Sequence, residues 1–564
     1  MALTLPRGLG PVRLIVIFCI LLSVLVFRSH YLPSPHAAKH AAKAFSSSSS
    51  NWLSAIRSPQ MDDTSDVAAD YHYSTRAFSK GKGLGAEIQK VEKTLKDISM
   101  DAAMEEFERS FFSPISSSSS SSSVSKATPT PSLAVKPVVK PAPEPLKPSC
   151  RDLPGADKVV VIVKTGATEA FARLPQQLLT LADCVPNFMV FSDMEQDMGD
   201  HHIYDALDEV GKEYKDNHDD FKFYNQVRQS HLTHGDVSLL GSEKGWNLDK
   251  WKNIPMLHKA YTKYPKADWF MTIDADTYLG WSNLLLMLAQ MDPNKPVYSG
   301  CVYWHGPTSF AQGGTGYLLS RAAVKKFEKV RTKEKIADWE KETSTICCGD
   351  VMLGVAMKHA GVEVTGAWPM FQIDPPSKMT WTDRYWCTPA ITWHHSPTYE
   401  VEALWDFEQD WLNKTSNGKK YGSVPYLYRD AFEYFAAPTI AKEKKDWDNL
   451  SGDKIFTKPV EDHVKENRDW DGKNDEEKQK MWDELSDLQK AAAGSIKKCK
   501  EACAEDTECI QWSFHPGTCQ LQKTIKLGHS TDGELETTSG WMLDRINEFK
   551  KDRKDCKPKW EIPK

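Results

Sequence analysis

The sequence predicts an α/β protein built on a parallel sheet, and three apolar stretches carry this prediction. Residues 159–163 (VVVIV) form a continuous apolar run between polar residues, which is typical of a strand buried on both faces. A helical stretch at 171–181 and a second strand at 187–191 follow and complete one βαβ unit. The run at 269–273 predicts a further buried strand.

Composition and charge narrow the class of protein. The chain has 564 residues, a net charge of −6 and a pI of about 6.3, so it carries no basic footprint and we expect no nucleic-acid partner. Of its 12 cysteines, only Cys19 lies in the apolar N-terminal segment. The others follow in polar sequence, several at close spacings near the C-terminus, which fits an oxidising compartment better than the cytosol.

The N-terminus predicts a membrane anchor. Residues 14–27 (LIVIFCILLSVLVF) contain no charge and are flanked by arginines. We expect residues 1–13 to be a cytoplasmic tail and residues 14–28 a signal-anchor transmembrane segment, with the rest of the chain lumenal. The alternative is a cleaved signal peptide and a secreted form, although the small-residue site at 42–44 lies far from the apolar run.

Residues 29–149 have the composition of a stem. Serine runs at 46–50 and 116–123 and a proline-rich stretch at 128–148 are low-complexity sequence. Such sequence buries too little apolar surface to offset the entropy of ordering it, so we expect this part to be disordered. Its role would be to hold a folded domain away from the membrane.

Two carboxylates, Asp274 and Asp276, end the strand at 269–273 and are separated only by Ala275. Ligands of open α/β sheets bind at the carboxyl ends of the strands, so these acids lie where a site is expected. Carboxylates suit hard cations such as Mg²⁺ and Mn²⁺, and a metal held by one or two of them can clamp a substrate diphosphate. An exposed turn or a helix cap is the alternative interpretation.

Further motifs follow along the chain. Three glycines within 313–316 predict a tight turn or the close approach of a ligand. Asp350 stands in the first turn of a predicted helix, where the simplest interpretation is a helix cap. A short strand within 387–396 ends in two histidines, the first of which is His394, and this pair favours a metal ligand only modestly. The sequence also predicts a helix at 247–264 and a strand at 296–304.

Together these blocks resemble glycosyltransferase family 31, and specifically its branch of Fringe and core 1 β1,3-galactosyltransferase-like enzymes. The resemblance covers about residues 155–440, and the order and spacing of the blocks are more specific than any single block. The matching blocks are Val163-Lys164-Thr165, Phe191-Ser192-Asp193, Trp269-Phe270 before Asp274-Ala275-Asp276-Thr277-Tyr278, Gly313-Gly314-Thr315-Gly316-Tyr317 with Ser320-Arg321, Asp350-Val351-Met352-Leu353-Gly354, and Cys387 ahead of Trp393-His394.

The resemblance implies a GT-A fold over residues 150–440, in which a twisted, mostly parallel sheet has helices on both faces and binds a nucleotide sugar at its strand ends. Family members are inverting, divalent-metal-dependent transferases that use a UDP-sugar. By this resemblance, Asp274, Asp276 and His394 would hold Mn²⁺ or Mg²⁺ on the departing diphosphate. Asp350 would be the general base that takes the proton from the acceptor hydroxyl.

The same resemblance implies roles for residues around this centre. The candidates for gripping the nucleotide and diphosphate are Thr165, Arg173, Asp193 and Lys252. Gly313 and Gly314 would let the backbone approach the sugar or the acceptor. The sequence departs from the family at Ala275, where relatives often have a third acid, and at Gly349, where many have an acid before the base. The second departure leaves the acceptor preference open.

The C-terminal part predicts a charged helical linker at 441–494 and a small disulfide-rich α+β module at 495–564. Three, five and nine residues separate the successive cysteines Cys499, Cys503, Cys509 and Cys519. With the segments 511–514 and 539–541, this pattern resembles a PAN/Apple module, which binds protein or carbohydrate partners and depends on its disulfides. A zinc site is the poorer interpretation because paired CxxC motifs are absent from the sequence.

Other cysteines and two sequons give further expectations. We expect structural disulfides at Cys347, Cys348 and Cys387, with Cys301 as a further candidate. The sequence does not show which of these cysteines pair with each other. Cys556 either bridges to an earlier cysteine or is spare. Asn413 and Asn449 begin N-glycosylation sequons if this part of the chain is lumenal.

Under this resemblance the chain is a single-pass type II Golgi enzyme that transfers galactose or N-acetylglucosamine to a glycan or glycoprotein acceptor in β1,3 linkage. The alternative is a catalytically silent glycan-binding or scaffold protein of the secretory pathway. Retention of the acid pair, His394 and Asp350 argues against that alternative. A glycosidase, which needs two carboxylates about 5–10 Å apart across a cleft, is not excluded by sequence.

Overall fold

The structure, a computed structural model, describes residues 148–563 except 242, 460–466 and 534–535. The predicted cytoplasmic tail, the predicted signal anchor and nearly all of the predicted stem lie outside the described residues. Among the helices that are described, none is both long enough and apolar enough to cross a bilayer.

Strands and helices alternate through the first part of the described chain. In order they are β1 (Val159–Lys164), α1 (Ala170–Leu179), α2 (Leu181–Cys184), β2 (Asn187–Ser192), β3 (Gln196–Met198), β4 (His201–Asp205), α3 (Lys212–Asn217), α4 (Asp219–Leu232), α5 (Gly245–Asp249), α6 (Asn253–Lys263), β5 (Trp269–Asp274), β6 (Tyr278–Leu279) and α7 (Trp281–Leu288). There follow β7 (Tyr298–Gly300), β8 (Val302–His305), β9 (Thr308–Ala311), β10 (Tyr317–Ser320), α8 (Arg321–Val330), α9 (Lys333–Thr343), α10 (Gly349–His359), β11 (Val364–Gly366), β12 (Phe371–Gln372), β13 (Thr392–Trp393), α11 (Thr398–Thr415) and α12 (Tyr428–Ala431).

An eight-stranded sheet forms the centre of this part, in the order β11-β7-β10-β5-β1-β2-β4-β3. All of its strands run in one direction except β10 and β3. The sheet is therefore mostly parallel, and the predicted fold class is confirmed. A smaller sheet, β12-β13-β6, lies beside it and connects the loop after β5 to the loop after β13.

The central strand β1 is buried on both faces because its residues alternate between two apolar cores. Val160 and Ile162 pack into the core that contains residues of α4, α6, α8 and α10. Val161 and Val163 point to the opposite core, which contains residues of α1 and α7. The continuous valine run thus stabilises both layers at once, and the sheet has helices on both faces as predicted.

Two predicted elements are divided in the structure. The strand predicted at 296–304 separates into β7, which belongs to the main sheet, and β8, which forms a hairpin with β9. At Gly300 the backbone packs so closely that a Cβ would lie 2.7 Å from the Ala311 Cβ, and the chain leaves the sheet at the next residue. The helix predicted at 247–264 is divided into α5 and α6 by a short turn.

The C-terminal residues form a disulfide-linked α+β module, as predicted. Its elements are β14 (Lys444–Lys445), β15 (Trp447–Asp448), β16 (Lys454–Thr457), α13 (Asp475–Asp483), α14 (Asp487–Ala492), α15 (Ile496–Glu505), β17 (Gln511–His515), β18 (Thr518–Gln522), β19 (His529–Ser530), β20 (Thr538–Trp541) and α16 (Leu543–Asp552). Five strands form one antiparallel sheet, β14-β20-β17-β18-β16, which α15 contacts. Two of these strands, β14 and β16, come from the segment predicted as a linker.

The disulfides settle the connectivity that the sequence left open. The pairs are Cys150–Cys184, Cys347–Cys348, Cys387–Cys556, Cys499–Cys519 and Cys503–Cys509. Cys556 therefore bridges to an earlier cysteine. The suggestion that Cys301 joins these partners is wrong, because this residue is a buried free thiol.

One of the two predicted sequons is inaccessible in the fold. Asn449 is fully buried, and its side-chain amide donates hydrogen bonds to the carbonyl oxygens of Trp512 (3.1 Å) and Gly540 (3.4 Å). A glycan on this nitrogen would break both bonds, so the expectation of an acceptor here is wrong for the folded protein. Asn413 is exposed in the last turn of α11.

Candidate functional site

The two acids that end β5 lie in a tight turn beside the end of β1. The N–H of Ala275 donates to the carbonyl of Lys164 (2.9 Å), which continues the pairing of β5 with β1 for one more residue. The N–H of Thr277 then donates to the carbonyl of Asp274 (2.9 Å) and closes the turn. Both carboxylates therefore lie at the carboxyl end of the sheet, where the sequence places them.

His394 is brought to this turn by the smaller sheet. The strand predicted within 387–396 is short in the structure, because β13 contains only the two residues that pair with β6 and β12. Beyond it, the N–H of Ser396 donates to the carbonyl of Asp276 (2.9 Å). One ligand atom each from Asp274, Asp276 and His394 lies within 4.8 Å of the others.

Asp276 lies between two basic side chains. His394 Nε2 is 3.5 Å from one carboxylate oxygen, and Arg173 Nη1 is 3.3 Å from the other. Burial raises the pKa of Asp276, but the hydrogen bond and charge of His394 and the charge of Arg173 outweigh burial and hold the pKa well below its usual range. Asp276 is therefore ionised at any physiological pH.

Asp274 belongs to a partly buried ion-pair network that the sequence did not predict. Lys164, its register partner on β1, lies 3.3 Å from Asp274 Oδ1 and 2.5 Å from Asp249 Oδ2 at the end of α5. Burial opposes the charged form of Lys164, but the two carboxylates outweigh it and raise its pKa. Burial raises the pKa of Asp274 despite the opposing charge of Lys164. Lys164 thus bridges the two carboxylates, and Lys252 Nζ lies 3.9 Å from Asp249 Oδ1 as a second ammonium of this network.

The chemistry of these side chains fits a divalent cation. His394 Nδ1 is a buried atom that makes no hydrogen bond with any described residue, and Asp274 Oδ1 has only the ion pair with Lys164. Two carboxylates and an imidazole are ligands that Mn²⁺ accepts, and Mg²⁺ suits the carboxylates. Asp274, Asp276 and His394 are accordingly the residues that would hold the metal.

Asp350 lies in the first turn of α10 and is held by two backbone donors. The N–H of Gly313 donates to Oδ2 (2.8 Å), and the N–H of Val351 donates to Oδ1 (2.9 Å). Burial raises the pKa of Asp350 to about 6, although these hydrogen bonds and the charge of Lys164 oppose the rise. This carboxyl can therefore both accept and release a proton near neutral pH.

The glycines of the 313–316 turn join Asp350 to the acid pair. A Cβ on Gly314 would overlap the imidazole ring of His394, and a Cβ on Gly313 would lie 3.4 Å from the Asp350 carboxylate. The hydroxyl of Thr277 donates to the carbonyl of Gly314 (2.6 Å) and ties this turn to the one that carries the acids. Close packing against His394 therefore explains the glycine at 314, whereas a Cβ at 313 would make only ordinary van der Waals contact with Asp350.

Gly349, which departs from the family pattern, is also explained by packing. A Cβ at this position would lie 2.4 Å from Asn253 Nδ2 and 2.9 Å from the carbonyl oxygen of Asp249. No larger side chain fits between α10 and the turn before α6. The start of α10, and with it Asp350, is thus packed directly on the segment that carries Asp249.

The other predicted nucleotide-binding residues lie at the ends of β1 and β2. Lys252 Nζ donates to the carbonyl of Thr165 (2.7 Å) and lies 3.4 Å from Asp193 Oδ1, and all three residues are buried. Asp193 Oδ1 also accepts from the N–H of Ala167 (2.7 Å), whereas Oδ2 has no hydrogen-bond partner among the described residues. Arg173 lies apart from this group and contacts Asp276.

Sequence reasoning missed three residues that hold the site together. Lys164 was noticed only as part of a strand-end motif, and Asp249 carried no signal because a single acid in a predicted helix is commonplace. Gln177 is a buried glutamine in α1 that donates to the turn carrying the acids. A polar residue on the predicted buried face of an amphipathic helix is the one signal that would have indicated Gln177.

Comparison with known proteins finds a matching family model and a curated relative. Residues 157–372 match a family model described as Fringe-like. Glycoprotein-N-acetylgalactosamine 3-beta-galactosyltransferase 1 of Xenopus laevis is 34% identical over 138 residues, which are 24% of this chain and 36% of that protein. The chain therefore spans about a third of the length of this curated relative.

Among solved structures, a glycosyltransferase involved in the glycosylation of the major capsid of PBCV-1 is 13% identical. The alignment covers 43% of this chain and 98% of that one, with a TM-score of 0.21. The family model and the curated relative confirm the resemblance to the Fringe and core 1 β1,3-galactosyltransferase-like branch. The PAN/Apple resemblance of the C-terminal module stays a prediction.

Proposed function

We propose that the protein is an inverting, divalent-metal-dependent glycosyltransferase that moves a sugar from a UDP-sugar to a glycan acceptor in β1,3 linkage. Galactose and N-acetylglucosamine are the proposed donor sugars. The observation that supports this proposal is the convergence of ligand atoms from Asp274, Asp276 and His394 within 4.8 Å, joined by the glycine turn to a separate carboxyl with a raised pKa.

In the proposed reaction, the acceptor hydroxyl oxygen attacks the anomeric carbon from the face opposite the diphosphate. The new C–O bond forms as the bond to the diphosphate oxygen breaks, the electron pair leaves with the diphosphate, and the hydroxyl proton passes to Asp350. A divalent cation held by the acid pair and His394 would neutralise the charge on the departing diphosphate. A single displacement inverts the anomeric carbon.

The proposal extends to location and partners. The disulfides of the described residues fit the lumen of the secretory pathway, where a Golgi enzyme anchored by residues 14–28 would meet glycoprotein acceptors. The C-terminal module would bind a protein or carbohydrate partner.

The test is a donor screen with the purified full-length chain. UDP-sugars and other nucleotide sugars are supplied with Mn²⁺, and release of nucleoside diphosphate is measured with and without acceptor glycans. We expect Asp350→Asn to lower transfer by at least about 100-fold with little change in nucleotide affinity. No turnover with any donor, together with unchanged nucleotide affinity in Asp276→Ala, would favour a glycan-binding or scaffold protein. Hydrolysis without nucleotide sugar or metal would indicate a glycosidase.

A further inference from the structure

Helix α1 contacts the turn that carries Asp274 and Asp276 through one buried side chain, Gln177. Gln177 is 1% exposed, and its Nε2 donates to the carbonyl oxygens of Ala275 and Thr277, each at 3.0 Å. A primary amide carries two N–H groups, so one nitrogen can serve both carbonyls. These carbonyls belong to the residues on either side of Asp276.

Gln177 provides the donor that these two carbonyls need. Ala275 and Thr277 are buried, and leaving a buried carbonyl unpaired costs about 1–3 kcal/mol. The remaining bonds of the turn hold other groups, since the Asp276 carbonyl accepts from Ser396 and the Thr277 hydroxyl donates to Gly314. Without Gln177, the carbonyl groups of Ala275 and Thr277 would lose this donor and turn toward another donor or toward water, which would shift the turn around Asp276.

The same helix face also acts on the Asp276 carboxylate. Arg173 lies four residues before Gln177, which places the two side chains on one face of α1. Its guanidinium is 3.3 Å from Asp276 Oδ2. Helix α1 thus acts on Asp276 in two ways. Gln177 holds the carbonyl groups of the two adjacent residues, and Arg173 contacts the carboxylate.

We propose that Gln177 is a positioning residue that fixes the turn so that the Asp276 carboxylate faces a divalent cation. The inference rests on the proposed function, because it assigns the cation to the acid pair and His394. Groups that orient metal ligands through hydrogen bonds typically change metal affinity by about 10–100-fold when they are removed.

The test compares Gln177→Met with Gln176→Met in the full-length chain. Methionine keeps the length of the side chain and removes both donors, and Gln176 is the neighbouring half-buried glutamine, turned about 100° around the helix. The Kd for Mn²⁺ in the presence of UDP is measured from the free-Mn²⁺ electron paramagnetic resonance signal. We expect Gln177→Met to raise it about 10–100-fold, with UDP affinity in the absence of metal unchanged, and Gln176→Met to leave it within about twofold of wild type.

A purely structural role predicts a different result. In that case Gln177→Met lowers the unfolding temperature while the Mn²⁺ affinity stays within about twofold of wild type, which overturns the inference. If the methionine variant does not fold, Gln177→Glu is used instead, because it keeps the shape of the side chain but places a carboxylate against the two carbonyls. Unchanged Mn²⁺ affinity in Gln177→Glu would also overturn the inference. A wild-type protein that binds Mn²⁺ but transfers no sugar contradicts the proposed function alone, and the comparison at 177 still decides this inference.

Discussion

Asp276 and Asp350 lie at the same edge of the sheet, yet their surroundings shift their pKa values in opposite directions. Two basic side chains stabilise the ionised form of Asp276, whereas Asp350 is half-buried and accepts hydrogen bonds from the backbone N–H groups of Gly313 and Val351. Carboxylates whose environments separate their pKa values in this way commonly divide binding and proton transfer between them. This difference supports the proposal that Asp276 binds charge and that Asp350 takes the proton.

We predict that the rate of transfer falls as the pH drops through about 6. Asp350 accepts a proton only when it is ionised, and its pKa is raised to about 6, so the active fraction decreases about tenfold per pH unit below that value. The measurement is kcat/KM for the acceptor against pH with the metal saturating. A profile that stays flat down to about pH 5 would mean that Asp350 is not the base.

Gly314→Ala is expected to displace the His394 ring, because the added Cβ would occupy the position of the imidazole. We expect Mn²⁺ affinity to fall at least about tenfold, measured by isothermal titration calorimetry in the presence of UDP. Gly366→Ala is the matched control, since the nearest heavy atom to its Cβ is Val302 Cγ2 at 3.8 Å. Equal Mn²⁺ affinity in both variants would remove His394 from the proposed ligand set.

The site was predictable from sequence only where residues stand in a recognisable local pattern. Asp274 and Asp276 could be placed because an apolar strand ends immediately before them. His394 came from its position after a short strand and from the family resemblance. Lys164 and Gln177 act through contacts with β5 and its turn, which lie about a hundred positions further along the chain, and no local pattern records such a contact.

Among the secondary-structure elements, α1 and β13 were both predicted to exist, but their predicted boundaries differ from those in the structure. Helix α1 was predicted at 171–181 and ends at residue 179, followed by the separate turn α2. The strand predicted within 387–396 shrinks to the two residues of β13 that find partners in β6 and β12. Apolar periodicity predicts that an element exists, but the available pairing partners decide where it ends.

We predict that expression in a eukaryotic secretory pathway places a glycan on Asn413 and none on Asn449. Asn413 is exposed at the end of α11, whereas the Asn449 amide is committed to the carbonyls of Trp512 and Gly540. Glycopeptide mass spectrometry measures the occupancy of each site. In addition, Asn449→Ala should lower the free energy of unfolding by about 1–3 kcal/mol through the unpaired carbonyls, and Asn413→Ala should not. A glycan on Asn449 in folded protein would contradict the structure.

At the scale of the whole molecule, the C-terminal module and the α/β part share an apolar core. Trp386 packs its ring edge-on against Phe549 of α16 at 5.0 Å, and Trp381 donates its backbone N–H to the carbonyl of Ile525 (2.8 Å). The disulfide Cys387–Cys556 closes the same region. The module is thus a structural part of the described fold.

Removal of the module should therefore destabilise the α/β part. We expect a chain of residues 150–440 to expose the aromatic side chains around Trp386, to bind a hydrophobic dye, and to unfold at least about 5 °C below a chain of residues 150–564. Differential scanning calorimetry and dye fluorescence provide the measurement. Identical unfolding temperatures would show that the predicted boundary at 440 separates two independent domains.

The layers of this protein and the position of its acid pair follow from local sequence patterns. A valine run that must be buried on both faces predicts the central strand, and acids directly after an apolar strand predict a site at the sheet edge. The fold in three dimensions shows which distant groups complete that site, namely Lys164 with Asp249 and Gln177 beside the acid turn. It also shows two features elsewhere, the Cys387–Cys556 disulfide and the burial of Asn449. The physical reason is that periodicity records which side of an element is buried, whereas a contact depends on where two elements meet in space.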